Sequence, residues 1–197
     1  MRNAYCMGCT LCHKTRLVCL WGEGATGTIM LVTGATTYTD AFHGHSLWGE
    51  AGDLLDHILF KLGYGREAFY VTSLLKCSPG KEGLPKGKGL TELVWACSKY
   101  LNDEIIAVKP KVIVPMGSLA AKHLAQVNFI TRAEGFPLEG CGHHIVPCHA
   151  PSAALQAPGT EKNIAMALAK ALELAGMPVK SRGEGLIFNY KDMGGLD

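Results

Sequence analysis

Short apolar runs alternate along this chain with longer stretches in which apolar residues recur at helical spacing. The run from Thr28 to Thr33 empties at Gly34; Phe69 to Leu75, Lys111 to Met116 and His144 to Pro147 are three more. Runs of this length, bounded by glycine or proline and rich in β-branched residues, predict buried strands. Between them, Leu54, Leu55, Ile58, Leu59 and Leu62 share one helical face that stops at Gly63. Leu93, Val94, Cys97, Leu101, Ile105 and Val108 share another, on a helix starting near Leu90. Gly117 and Ser118 open a third helix, and an alanine-rich one closes the pattern from Ile164 to Leu174. Strands separated by helices of this length require right-handed crossovers, so the chain is expected to be α/β: three αβα layers around a central, mostly parallel four-stranded sheet. Ligands of such sheets bind beyond the carboxyl ends of the strands. The loops after Thr33, Leu75, Met116 and Pro147 are therefore where a site is expected.

One domain is expected over residues 1–178. The remaining 179–197 extension is rich in glycine and charge, with Leu186 to Tyr190 its one apolar patch. Two outcomes are open for it, an added edge strand or a mobile tail.

Composition adds two constraints. With 197 residues, 48% apolar and 18% charged, the chain can bury a sizeable core. No stretch is long and apolar enough to span a bilayer, and the first residues lack the apolar centre of a signal peptide, so a cytoplasmic protein without a membrane partner is expected. Eight cysteines in such a chain read as metal ligands and buried thiols rather than a disulfide framework. Cys6 and Cys9, in a Cys-x-x-Cys pair, could meet Cys77 and Cys97 at one metal centre only if the fold brings the N-terminus beside the central loop. Four thiolates suit an iron-sulfur cluster and would also hold zinc. Cys12 could replace Cys9; Cys19, Cys141 and Cys148 read as small buried or site-lining residues. The net charge of +2 decides little, but Lys76, Lys81, Lys86 and Lys88 stand against a single acid, Glu82, in one segment, a local basic surface suited to phosphates.

Several motifs occur in a telling order: Cys6-x-x-Cys9-x-Leu11 with Arg16 and Gly22-Glu-Gly24; Leu47-Trp-Gly-Glu-Ala-Gly-Asp-Leu-Leu55; Tyr70 to Pro79 with its Lys76-Cys77-Ser78-Pro79 end; Glu92 to Cys97; and Lys109 to Gly117. Together they resemble the iron-sulfur uracil-DNA glycosylases, above all family 4. The resemblance implies a 4Fe-4S cluster on Cys6, Cys9, Cys77 and Cys97, a DNA partner, single-stranded or duplex, and cleavage of an N-glycosidic bond after base flipping.

The catalytic motifs depart from that pattern. Where the family has Gly-Glu-Ala-Pro-Gly, this chain has Thr33-Gly34-Ala35-Thr36-Thr37, without acid or proline. Asp40 is the nearest candidate for the missing carboxylate, against the plainer reading of a solvated loop residue. The aromatic that stacks on the flipped base corresponds to Leu47, and the asparagine that reads its edge to Ser73; neither offers the same contact. The family's His-Pro-Ser becomes His149-Ala150-Pro151-Ser152, so His149 can act only if the loop has shifted by a residue. Pro151 and Ser152 would press on the DNA strand at the side of the pocket opposite the lysine-rich loop. His43, His45, His143 and His144 lack a recognised ligand spacing and read as surface or loop histidines. Two functions follow: a divergent base-excision glycosylase in DNA repair, with catalytic residues His149 and Asp40, or a glycosylase-fold module without chemistry that binds DNA or a replication or repair protein.

Overall fold

The computed structural model describes residues 6, 8–14, 19–157 and 159–180. The chain opens with α1 (Thr10–Lys14) and the two-residue strand β1 (Glu23–Gly24), then runs through β2 (Ile29–Ala35), α2 (Tyr38–His43), α3 (Glu50–Lys61) and β3 (Tyr70–Leu75). The long helix α4 (Lys88–Val108) leads to β4 (Val112–Met116), α5 (Ser118–Ala125) and α6 (Ile130–Ala133). A hairpin of β5 (Leu138–Gly140) and β6 (His143–Ile145), then α7 (Pro151–Gln156) and α8 (Thr160–Ala175), complete it.

The strands form one sheet in the order β1-β3-β2-β4-β6-β5. Its centre, β3-β2-β4-β6, is parallel throughout and corresponds to the four strands the apolar runs predict. Two short antiparallel strands border it, β1 on β3 and β5 on β6, giving six where four are expected. β2 also runs past the expected end at Thr33: Ala35 pairs with Leu75, so Gly34 and Ala35 belong to the strand and not to the loop.

Alternation along β2 sends Ile29 and Leu31 to one face and Met30 and Val32 to the other. The first face packs on α3 and α8 through Leu55, Ile58, Leu59, Ile164, Leu168 and Leu172, and on α7 through Ala154. The second packs on α4 and α5 through Leu101, Ile105, Ala120 and Leu124. A third, smaller apolar group lies at the sheet's end, where Leu11, Leu75 and Leu93 surround Cys19, Cys77 and Cys97. The start of the C-terminal extension is docked, with the Lys180 amide donating to the Leu62 carbonyl (3.0 Å) and the Tyr64 hydroxyl to that of Pro178 (2.7 Å). Residues 181–197 lie outside the described residues. No helix among the described residues is long and apolar enough to cross a membrane.

Candidate functional site at the carboxyl edge of the sheet

Five thiols line one cavity: Cys6, Cys9, Cys19, Cys77 and Cys97, walled by Leu11, Trp21, Leu75 and Tyr100. Cys77 follows β3 directly, and Cys97 sits on the inner face of α4, which packs on that strand. The fold therefore brings the N-terminal pair to the central segment, as one shared centre requires. All five are free thiols. Cys12 packs against the same apolar group but is not part of the cavity wall, its thiol donating to the Cys9 carbonyl at 2.7 Å. Cys19, expected to be a small buried or site-lining residue, is both, and its Sγ is 2.8 Å from that of Cys77. This contact pulls the Cys19 thiol down to about 7 and, with burial, pushes that of Cys77 up. Burial likewise raises Cys97 to about 11, opposed by the Lys76 amide, which donates to its sulfur at 3.3 Å. The Cys6 sulfur is 3.3 Å from the Tyr100 hydroxyl.

Beside the thiols lies a buried charged pair that has no local sequence signature. Lys76 is only 2% exposed and its ammonium is bonded to the buried carboxylate of Glu104 on α4. The same ammonium donates to Thr72 Oγ1 at 2.6 Å, while Glu104 also accepts from the Thr72 hydroxyl (2.8 Å) and the Gly22 amide (2.8 Å). Burial pulls the lysine below its usual range and Glu104 opposes that shift. Lys76 is thus not on the basic surface assigned to it, because its amine is held inside by a carboxylate. Lys81, Lys86 and Lys88 are exposed, Lys88 lying 3.9 Å from Glu92.

Asp40, the proposed substitute acid, is buried and committed. Its Oδ2 accepts the Thr37 amide at 2.8 Å and its Oδ1 the Trp48 amide at 2.7 Å, while the Thr37 hydroxyl accepts the Asp40 amide. This is a capping box starting α2, legible in sequence as a threonine followed three residues later by an acid. Neither reading of Asp40 from sequence, pocket acid or solvated loop residue, describes it. Gly34 faces α5, where an added Cβ would meet that of Leu119 at 3.2 Å. Ala35 is half-buried, and Thr36 is buried with its hydroxyl 2.8 Å from that of Ser73, which donates in turn to the Leu75 carbonyl. Leu47 adopts a left-handed conformation (φ 55°) and packs against the first core group. Its carbonyl accepts from Arg66 Nη1 at 2.9 Å and sits against Gly52, where a Cβ would lie 1.7 Å away. That close approach explains the second glycine of the Gly49-Glu-Ala-Gly52 motif.

His149 follows β6 at the same edge. Glu134 reaches it from the end of α6: Oε1 accepts the His149 amide and Oε2 is 2.8 Å from Nδ1, both at 2.8 Å, with the carboxylate 8% exposed. This partnership joins residues on separate elements and has no sequence signature. Pro151 is buried as the first residue of α7, so only Ser152 of that pair is at the surface. Among the other histidines, His143 Nδ1 is 2.9 Å from the Pro110 carbonyl and His144 pairs with Glu139.

The geometry can be set beside known proteins. The sequence pattern of the Uracil DNA glycosylase superfamily matches residues 18–172. The chain is 31% identical to the type-4 uracil-DNA glycosylase of Archaeoglobus fulgidus over 86% of its own length and 89% of that protein. It is 28% identical to the type-4 enzyme of Saccharolobus solfataricus over 80% of this chain and 76% of the other. A DNA polymerase of Bacillus phage SP01 shares 31% identity with 56% of the chain, within 12% of the polymerase.

Proposed function

The chain belongs to the uracil-DNA glycosylase superfamily, and we propose that it is a DNA-binding, cluster-carrying member in which His149, backed by Glu134, assists the departure of an excised base. Hydrolysis of an N-glycosidic bond breaks the bond between the sugar and the base nitrogen, adds water to the sugar and leaves negative charge on the base. Two kinds of help are useful, a group that directs the water and a donor that meets the leaving anion. The segment from Thr33 to Thr37 carries no acid, and both oxygens of Asp40 are engaged by backbone amides. Help with the water is therefore weak. Help with the leaving base remains, and the Glu134–His149 contact is the observation that carries this reading. Glu134 holds the His149 backbone amide and lies 2.8 Å from Nδ1, a buried nitrogen that makes no hydrogen bond in this geometry, so Nε2 is the ring nitrogen left to meet the departing base.

Cys6, Cys9, Cys77 and Cys97 would hold the 4Fe-4S cluster that the family 4 resemblance implies. The donor set supports the assignment: free thiols in an apolar wall, with a backbone amide already directed at one sulfur. The cluster would serve as a staple between the N-terminus, β3 and α4, away from the reacting base. Lys81, Lys86, Lys88 and Ser152, exposed on loops and a helix start beyond the parallel strands, would contact phosphates.

A single-turnover assay with single-stranded and duplex oligonucleotides carrying uracil or a modified base tests the catalytic part. Slow release is expected from the wild type, falling a further ~100-fold in His149→Ala and about tenfold in Glu134→Gln. Equal rates in wild type and His149→Ala would reject the role of His149. A second reading, a module that binds DNA for a replication machine without cleaving it, is favoured by the missing acid and by the likeness to part of a phage DNA polymerase. Tight DNA binding with no base released from any substrate would select it.

A further inference from the structure

Three of the largest exposed apolar side chains fall within one short segment: Tyr38 at 60%, Phe42 at 66% and Trp48 at 46% exposure. They are linked into a continuous row. Tyr38 stacks on Phe42 (centroids 6.4 Å, 16° between planes), Phe42 meets His43 edge-on (5.1 Å), and His43 lies flat on Trp48 (4.7 Å, 14°). His45 also lies near-parallel to Trp48 (5.5 Å, 25°). Exposed rings in such number need a partner to account for them. We propose that this row is a stacking rail for the bases of single-stranded DNA, leading to the base pocket.

Four observations select that occupant. The row contains rings only, with no exposed aliphatic side chain among them, and three of its five members carry ring nitrogens and one a hydroxyl. A protein helix seated on it would want aliphatic holes, whereas a nucleobase offers a flat face and a polar edge. The row is also held in advance of binding. Asp40 ties the start of α2 to the Trp48 amide, so the buried acid that the chemistry leaves unused sets the distance between the helix rings and the indole. Its place is the third observation: it begins immediately after β2, next to Thr36 and Ser73, at the edge where the parallel strands end. The lysine loop leaves the neighbouring strand β3 at that same edge, so a strand could lay phosphates on Lys81, Lys86 and Lys88 and bases on the rings. Finally, Glu23, the acid touching the row, is already engaged by the His45 ring at 2.9 Å and the Ser46 amide at 3.3 Å.

The inference rests on the DNA-binding reading above, and its test separates the two. Binding of the full chain to a 12-nucleotide oligothymidylate and to an abasic oligonucleotide of the same length is measured by fluorescence anisotropy across a salt series. The wild type should prefer the base-bearing strand by tenfold or more. The triple variant Tyr38→Leu/Phe42→Leu/Trp48→Leu keeps apolar bulk, and its thermal melt checks that it folds. It should lose that preference while its salt slope stays unchanged, since phosphate contacts are untouched. A triple variant that folds and still prefers bases as the wild type does would overturn the rail. A wild type that binds both oligonucleotides equally would overturn it too, while leaving DNA binding standing. No binding to either would overturn the DNA-binding reading along with it, and would leave a protein partner to explain the rings.

Discussion

A carboxylate with both oxygens accepting backbone amides is fixed in place, and it has little freedom left to orient a water. Asp40 is in that position, with the Thr37 amide on one oxygen and the Trp48 amide on the other, 4% exposed. Its contribution belongs to folding. Asp40→Ala leaves two amides without acceptors and should lower stability by about 1–3 kcal/mol, whereas Asp40→Asn keeps one acceptor and should cost about 1 kcal/mol. Urea unfolding measures both. Base release per folded molecule should be unchanged in Asp40→Asn, and a hundredfold fall there would return Asp40 to the chemistry. The comparison with His149 shows what is readable at this scale. A capping box is local, so Thr37 and Asp40 announce it in sequence; the hold of Glu134 on His149 spans two elements and only the folded chain displays it.

Elements were legible where their periodicity was long. β2, β3, β4 and β6 stand at four apolar runs, and α3, α4 and α8 at three amphipathic stretches, because each buries a full face against a neighbour. β1 and β5, two and three residues long, are created by pairing at the sheet's edges and have no period to read. Lys76 misled for a related reason: lysine in a glycine-rich segment reads as surface, and the acid that draws it inward lies on α4, on the same face as Cys97 about two turns along. That pair locks α4 to β3 directly behind the thiols. Glu104→Gln strands a buried ammonium and should destabilise by about 3–5 kcal/mol, while the paired change Lys76→Met/Glu104→Leu should recover most of the loss. Urea titration of the single variant and the double one is the check, and a Glu104→Gln cost below about 1 kcal/mol would mean that the pair contributes little to holding the helix.

At the scale of the whole molecule, the cysteines connect segments that the sheet does not. The two large apolar groups lie on opposite faces of the sheet, while the third, around Cys19, Cys77 and Cys97, stands apart at its end. A cluster on Cys6, Cys9, Cys77 and Cys97 would fasten the N-terminal segment there, so its loss should open that end and leave the sheet folded, since stability is distributed unevenly through a domain. Protein purified without oxygen should be brown and carry about four irons per chain. Cys77→Ser and Cys97→Ser should lose the colour and become sensitive to proteolysis ahead of β1, with the cleaved remainder retaining its secondary structure. Cys12→Ser should keep its iron, because that thiol faces the Cys9 carbonyl and lies outside the cavity wall. Cys19→Ser discriminates further: as a neighbour of Cys77 it should leave the iron count unchanged, whereas loss of iron would make Cys19 a ligand and remove Cys6 or Cys9 from the set. A colourless protein with one zinc per chain would reject the cluster while preserving the staple, for four thiolates fasten the same segments around either centre.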